Sequence, residues 1–144
     1  MVRVSRFELD LALALAMCDE ARAVAAGSDA LVSVAVVDGG GNLVAFQRMD
    51  GAEIAGPVLA RDKAYTAVAH RCGTHELTSQ VSPGAALAGM NSADHGRYIA
   101  FAGGLPLWDG DRVVGGVGVS GGTAEQDQAA AAAALDAFGR ERDA

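Results

Sequence analysis

Aromatic side chains are scarce in this chain, since Phe, Trp and Tyr together make up only 5% of its 144 residues. Charged residues are also few, at 20%, whereas hydrophobic residues reach 51% and glycine occupies 19 positions. This size and composition predict a single domain over residues 1–144 and exclude the disordered and collagen-like classes. With few rings to fill space, the core is expected to consist mainly of Ala, Val and Leu, with backbones in close approach.

The chain has no excess of positive charge, because 11 Lys and Arg residues face 18 Asp and Glu residues and the net charge is −7. Nucleic acid and anionic membranes are therefore excluded as expected partners. Cysteine is equally sparse, with Cys18 and Cys72 alone. Two cysteines are too few for a disulfide framework, so both are predicted to be reduced thiols in a cytoplasmic protein.

Long apolar runs are missing as well, and no stretch is long enough to span a bilayer. Arg3 and Arg6 precede a Leu/Ala-rich run and give the outline of a signal peptide. Glu8 and Asp10 interrupt that run, however, and Ser5 has the capping-box spacing to Glu8. We therefore interpret this segment as the start of a helix in the folded domain.

Hydrophobic periodicity and turn residues predict an α/β (α+β) domain with the order α-ββ-αα-βββ-α. The hairpins indicate a largely antiparallel sheet of five strands with helices on its faces. The predicted elements are helix 6–25, strands 31–37 and 43–49, helix 57–70, a short helix 74–81, strands 97–102, 105–108 and 113–119, and helix 123–138. Pro106 favours an edge or a bulge for its strand, and Thr123 has the capping-box spacing to Gln126 at the start of the last helix.

The first helix is apolar on every side over residues 11–18. A helix of this kind is covered on more than one side. One small domain covers only one of its faces, so the pattern predicts a homo-oligomer in which a second copy covers the other.

Lys63 is the only lysine, beside ten arginines. Lysine supplies a compact ammonium with an adjustable pKa and a nucleophilic amine, and arginine supplies neither. Thr66 and His70 follow at i+3 and i+7, which places the three residues on one helical face. We therefore predict a functional site at Lys63, with a solvated surface lysine as the alternative.

The three histidines, His70, His75 and His95, together with Cys72, invite a metal interpretation. No structural zinc spacing fits them and a second half-site is missing, so no metal site is predicted. An axial haem ligand needs only one side chain, commonly His, and these residues allow that. A Cys–His nucleophile pair needs an orientation that adjacency in sequence does not provide.

Residues 116–121 match the pattern G-x-G-x-x-G and lead into a helix. A dinucleotide-binding fingerprint also needs a second parallel strand with an acidic residue, and the chain ends after the helix. We therefore reject a dinucleotide site. Glycines here leave room for a ligand or for a neighbouring backbone.

Several segments together resemble the GlcG/HbpS-like proteins, a family also labelled a haem-degrading domain and related to the C-terminal domain of PduO-type proteins. The resemblance covers nearly the whole chain, and its most specific parts are the Asp-Lys-Ala-x-Thr-Ala stretch at residues 62–67 and the stretch at residues 118–127. The other matching segments are residues 33–38, 41–45, 48–51, 103–107 and 115–117.

The resemblance implies a profilin-like sandwich with a five-stranded antiparallel sheet, homo-oligomers such as octamers, and binding of haem, iron or a corrinoid. Lys63 and Thr66 lie in the family's helix motif, and Thr74 lies where members often carry Pro-Thr. His70 and His95 depart from the residue types common in the family, which favours a site specialised for another ligand.

Two functions are therefore predicted. The first is an oligomeric cytoplasmic protein that holds haem, the cofactor expected, or another small organic ligand in a pocket by the second helix. Its predicted contacts are Lys63, Thr66, His70, Thr74 and His75. The alternative is an enzyme that acts on a small metabolite by acid/base or amine chemistry at Lys63, with His70 or His95 as proton-transfer partner.

Overall fold

The computed structural model describes all residues from 1 to 144, and they form a mixed domain of helices and strands. None of its helices combines the length and the apolar character needed to cross a membrane. The regular elements are α1 (Leu11–Gly27), β1 (Ser33–Asp38), β2 (Leu43–Arg48), α2 (Gly56–His70), α3 (Ala93–Gly96), β3 (Gly104–Asp109), β4 (Arg112–Ser120) and α4 (Ala124–Arg142), with 3-10 turns at Thr74–Leu77 and Met90–Ser92.

The sheet has four antiparallel strands in the order β2-β1-β4-β3. The predicted fifth strand, residues 97–102, and the element order that contained it are wrong. The N–H of Ile99 donates to the Thr66 hydroxyl at 3.0 Å, and the carbonyl of Phe101 accepts from the Thr74 hydroxyl at 2.6 Å. Side chains thus satisfy backbone groups that would otherwise need a strand ladder, and the segment stays irregular. The profilin-like assignment stays a prediction.

The first helix begins later than predicted. The Asp10 carboxylate accepts from the N–H of Leu13 at 2.8 Å and caps α1. Ser5 and Glu8 lie in an irregular segment before it, so the predicted capping box is wrong. A helix has one N-cap, and here the ionised carboxylate, a stronger acceptor than a hydroxyl, occupies that position.

The short helix predicted over residues 74–81 is reduced to the 3-10 turn at Thr74–Leu77. Thr74 does not cap it, because its hydroxyl donates to the carbonyl of Phe101. The Glu76 carboxylate instead accepts from the N–H of Gly73 at 2.7 Å and closes the turn.

Other turn and edge predictions are confirmed. β3 is an edge strand, and its pairing with β4 shifts between Leu107 and Trp108, directly after Pro106. Proline lacks the N–H that a central strand would need, so the edge position follows from its chemistry. Thr123 and Gln126 form the predicted capping box that begins α4.

The two faces of the sheet carry different side chains. One face joins the hydrophobic core with α1 and α4 and carries four valines: Val34, Val36, Val117 and Val119. On the other face, Gly118 lies opposite Ala35. Because Gly118 and Ala35 carry no large side chain, α2 can approach the strands at this point of the second face.

Glycine sets the distance between α2 and the sheet. A Cβ added at Gly116 would lie 2.5 Å from the carbonyl oxygen of Ala64, and one at Gly104 would lie 2.6 Å from the carbonyl oxygen of Lys63. A Cβ at Gly118 would collide with the carbonyl of Ala60. Backbone of the helix therefore lies directly on backbone of the strands, and any side chain at these positions would lift α2.

This contact predicts that Gly118→Ala lowers the free energy of unfolding by about 1–3 kcal/mol or more, as overpacking of a rigid contact does. Gly139→Ala is the control, because Gly139 lies in α4 and an added Cβ there meets no atom within 4 Å. The control should gain up to about 1 kcal/mol from helix propensity. Urea unfolding of both variants measures the difference, and equal stability would contradict this account of the glycine contact.

Candidate functional site

Lys63 lies under α2 with its side chain completely buried, at 0% exposure. Its Nζ donates to Oδ2 of Asp127 at 3.1 Å and to the carbonyl oxygen of Val119 at 2.8 Å. The Phe101 ring covers the ammonium, with 4.9 Å between Nζ and the ring centroid. The ammonium thus joins α2 to β4 and α4 within the domain.

Asp127 is equally engaged. It lies in the first turn of α4, and its Oδ1 accepts from the N–H of Gly122 at 2.8 Å. Burial raises the pKa of the Asp127 carboxyl, while Lys63 and the N–H of Gly122 oppose that rise. Burial lowers the pKa of the Lys63 ammonium, and Asp127 opposes that change. Each charge therefore depends on the other for the contacts that water would supply.

These contacts fit a structural anchor. A substrate would have to displace Asp127 or Phe101 to meet the amine of Lys63. Catalysis by Lys63 stays a prediction, and the geometry does not favour it. The sequence singled out Lys63 correctly as unusual but not its partner, although Asp127 closes the specific stretch at residues 118–127.

The two threonines predicted as ligand contacts use their hydroxyls within the protein. Thr66 donates to the carbonyl of Asp62 at 2.7 Å and accepts from Ile99. Thr74 donates to Phe101 and accepts from the N–H of Gly104 at 2.9 Å. Both hydroxyls hold the irregular segment that replaces the fifth strand, and their contact with a ligand stays a prediction.

His70 ends α2 and is half-buried. Its ring meets the Tyr98 ring edge-on, with 4.6 Å between centroids. The Nε2 atom is inaccessible to solvent and has no hydrogen-bond partner. An unsatisfied buried nitrogen is unusual, and it makes His70 the histidine with free ligating capacity inside the fold.

The other two histidines, unlike His70, are exposed. His75 is exposed, and its Nδ1 is 3.4 Å from Nε2 of Gln128. His95 is exposed in α3, where it and Asp94 adopt left-handed backbone angles, with φ of 58° and 50°. No group of three His, Cys, Asp or Glu side chains is placed to hold a metal ion. No side-chain hydrogen bond or ion pair joins two of the predicted site residues.

A groove of about 810 Å³ borders the C-terminal half of α2. Its walls come from the segment before α1, the β1–β2 turn, α2 and the β3–β4 hairpin. This volume falls within the range of about 300–1,000 Å³ that is usual for sites of small organic ligands. The apolar side chains of the walls are Val4, Phe7, Leu9, Val68, Val113 and Val114.

Three arginines from separate elements line this groove: Arg6, Arg71 and Arg112. None of them has a carboxylate within 4.0 Å, whereas four arginines elsewhere in the chain are ion-paired. Sequence reasoning missed these three residues because they lie far apart along the chain and share no motif.

Tyr65 provides a rigid aromatic wall. The Arg97 guanidinium lies over its ring at 3.4 Å from the centroid, and its hydroxyl donates to Asp94 at 3.1 Å. The hydrogen bond to Asp94 raises the pKa of the Tyr65 phenol. In the β1–β2 turn, a Cβ at Gly41 would lie 2.7 Å from the Tyr65 ring, so the glycine leaves space for that ring.

The fold and the groove define a small α+β protein with a groove of ligand size beside α2. The family model described as Haem degrading protein HbpS-like matches residues 9–136. The chain therefore belongs to this family, and the resemblance drawn from its sequence is confirmed.

Individual relatives are similar over nearly their whole length. The uncharacterized 15.0 kDa protein in the dhaT-dhaS intergenic region of Citrobacter freundii is 45% identical over 130 residues, which are 90% of this chain and 92% of that protein. The crystal structure of Klebsiella pneumoniae protein ORFY is 41% identical with a TM-score of 0.91, over 96% of this chain and 97% of that one. A PduOC:haem complex is 37% identical with a TM-score of 0.88, over 91% and 95%.

If the buried Lys63–Asp127 pair anchors α2, Lys63→Met should lower the free energy of unfolding by about 3–5 kcal/mol, because Asp127 is left buried and unpaired. Lys63→Arg should also destabilise, since a planar guanidinium does not fit the position of the ammonium. The double variant Lys63→Met/Asp127→Asn should recover most of the loss, because the Asn carbonyl still accepts from Gly122. Urea midpoints at pH 7 measure the series.

Arg61→Met is the control for this series, because Arg61 is an exposed cation of the same helix without an ion pair. Its stability should change by less than about 0.5 kcal/mol. A Lys63→Met variant as stable as the control would show that the pair is not an anchor.

Proposed function

We propose that the protein binds haem, or another planar organic acid of that kind, in the groove beside α2. The observation that carries the proposal is the groove itself, whose volume of about 810 Å³ suits a small organic ligand and whose walls combine apolar side chains with three unpaired arginines. Membership of the HbpS-like family and the similarity to PduOC, which was crystallised with haem, support the choice of ligand.

The groove suits the organic part of haem better than its iron. Apolar walls suit a porphyrin ring, and guanidinium groups suit its carboxylates. Iron in a bound haem would supply redox and ligand-exchange chemistry, but no His, Cys or Met lines the groove. Tyr65 is the sole aromatic oxygen there, and its hydroxyl is engaged in the hydrogen bond to Asp94.

A contact between His70 and iron stays a proposal, weaker than recognition by the groove arginines because His70 itself does not line the groove. Its neighbours Ala69 and Arg71 both line the groove, and its own Nε2 has no partner. Contacts from His75, His95 and the two threonines stay weaker proposals, because those side chains lie away from the groove.

We further propose that the protein is a homo-oligomer, such as the octamer of the family resemblance, and that it works in the cytoplasm. Leu11 and Leu15 of α1 are 55% and 39% exposed and follow i, i+4 spacing on one face. A second copy would cover this apolar stripe. Both cysteines are free thiols, which supports a reducing compartment.

Haem titration tests the ligand and its location together. We expect wild-type protein to give a saturable Soret band. Ala69→Trp, at an exposed position on the groove wall, should weaken haem binding by about tenfold or more, because the indole fills the space of the ligand. Val58→Trp is the control, since Val58 is 64% exposed on the same helix but outside the groove. Equal effects of the two variants would exclude the groove as the site.

Light scattering at micromolar concentration tests assembly. Wild-type protein should have the mass of a multimer, and Leu11→Gln/Leu15→Gln should lower that mass while its circular dichroism stays unchanged, because the apolar contact is lost. A wild-type monomer would refute the oligomer, and a double variant with wild-type mass would show that another face mediates assembly.

A further inference from the structure

We propose that the groove beside α2 recognises its ligand through the ligand's carboxylates and not through a metal, so that a metal-free porphyrin dicarboxylate binds as tightly as haem. The inference rests on the proposed function and adds the chemistry of recognition. The groove arginines, Arg6, Arg71 and Arg112, are the recognising groups.

Unpaired arginines are concentrated in the groove, since three of the six arginines without an ion pair line it. The chain has a net charge of −7 and an excess of carboxylates. Arg22, Arg97, Arg140 and Arg142 each have a carboxylate within 4.0 Å. The three groove arginines have none, although guanidinium is suited to bidentate contact with carboxylate. Their donors are therefore available to an acidic ligand.

The backbone brings these three side chains together from distant parts of the chain. Arg71 follows the last residue of α2 and adopts a left-handed conformation with φ of 55°, which is uncommon for a residue with a side chain. Arg112 begins β4, and its guanidinium makes only one long contact, 3.5 Å to the carbonyl oxygen of Ser5. Arg6 lies on the segment before α1 that forms another part of the groove wall.

Carboxylates also line the groove, but they do not make it a cation site. Asp38 is held by the β1–β2 turn, where its Oδ1 accepts from the N–H groups of Gly40 and Asn42 at 2.9 and 3.0 Å. Glu8 and Asp111 are the other two. The three are not grouped closely enough to bind a metal ion. The turn thus engages Asp38, and neither Glu8 nor Asp111 is ion-paired with a groove arginine, so the guanidinium groups keep free donors for a ligand.

The absence of a thiolate, thioether or imidazole from the walls completes the argument. A site that held haem chiefly through iron would place such a ligand at the wall. Here the apolar side chains contact the ring and the arginines contact its acidic edge, and both interactions are the same with and without iron.

Equilibrium titrations of the wild-type protein with haem, protoporphyrin IX and protoporphyrin IX dimethyl ester test the inference, with the same detergent concentration in all three. We expect haem and protoporphyrin IX to bind within about threefold of each other. The ester should bind about tenfold more weakly or worse, because hydrogen bonds to the charged carboxylates are lost.

Arg71→Gln and Arg112→Gln should each weaken protoporphyrin IX binding by about tenfold and leave the weak binding of the ester unchanged. Arg48→Gln is the control, because Arg48 is an exposed residue of β2 outside the groove, and it should bind all three porphyrins like wild type. If an arginine variant fails to fold, the comparison of acid with ester on wild-type protein still decides.

The outcomes separate this inference from the proposed function. Haem binding without protoporphyrin IX binding would overturn the inference and leave the haem proposal standing. An ester that binds as tightly as the free acid, or arginine variants that bind like wild type, would overturn it as well. If neither haem nor protoporphyrin IX binds, the proposed function itself fails.

Discussion

The buried ammonium of Lys63 is the interaction on which the arrangement of the domain depends. Removing an ammonium and a carboxylate from water is costly, and here each charge is compensated by the other and by backbone groups. Because the partners come from α2, β4 and α4, the pair fixes the helix relative to both the sheet and the last helix. The position of α2 therefore follows from one ion pair and from the glycines beneath it.

Because the position of α2 is fixed, the two parts of this helix have different environments. The part that contains Lys63 lies on the glycine face of the sheet and is closed to ligands. The C-terminal part extends past the sheet to the β1–β2 turn and the β3–β4 hairpin, and Tyr65, Val68 and Arg71 there line the groove. α2 thus stabilises the fold through Lys63 and borders the groove with its C-terminal part. Because these two parts of the helix are separate, Lys63, the most unusual residue of the sequence, does not line the groove.

Local chemistry predicted the elements whose determinants are close together in sequence. The β3–β4 hairpin, the edge position of the strand with Pro106 and the Thr123 cap of α4 all follow from a few adjacent residues. The strand expected at residues 97–102 failed because threonines from distant segments satisfy its backbone. Sequence separation also explains why Asp127 was not predicted as the partner of Lys63, since it lies 64 positions further along the chain.

A pocket by the second helix was predicted, but its arginines were not, because they come from three segments without a common motif and only the folded backbone unites them. A crystal structure of the protein grown with protoporphyrin IX tests the central claim most directly. The account predicts the porphyrin in the groove beside α2, with its carboxylates within hydrogen-bond distance of Arg71 or Arg112. A porphyrin bound elsewhere, or one with its carboxylates directed away from all three arginines, would contradict it.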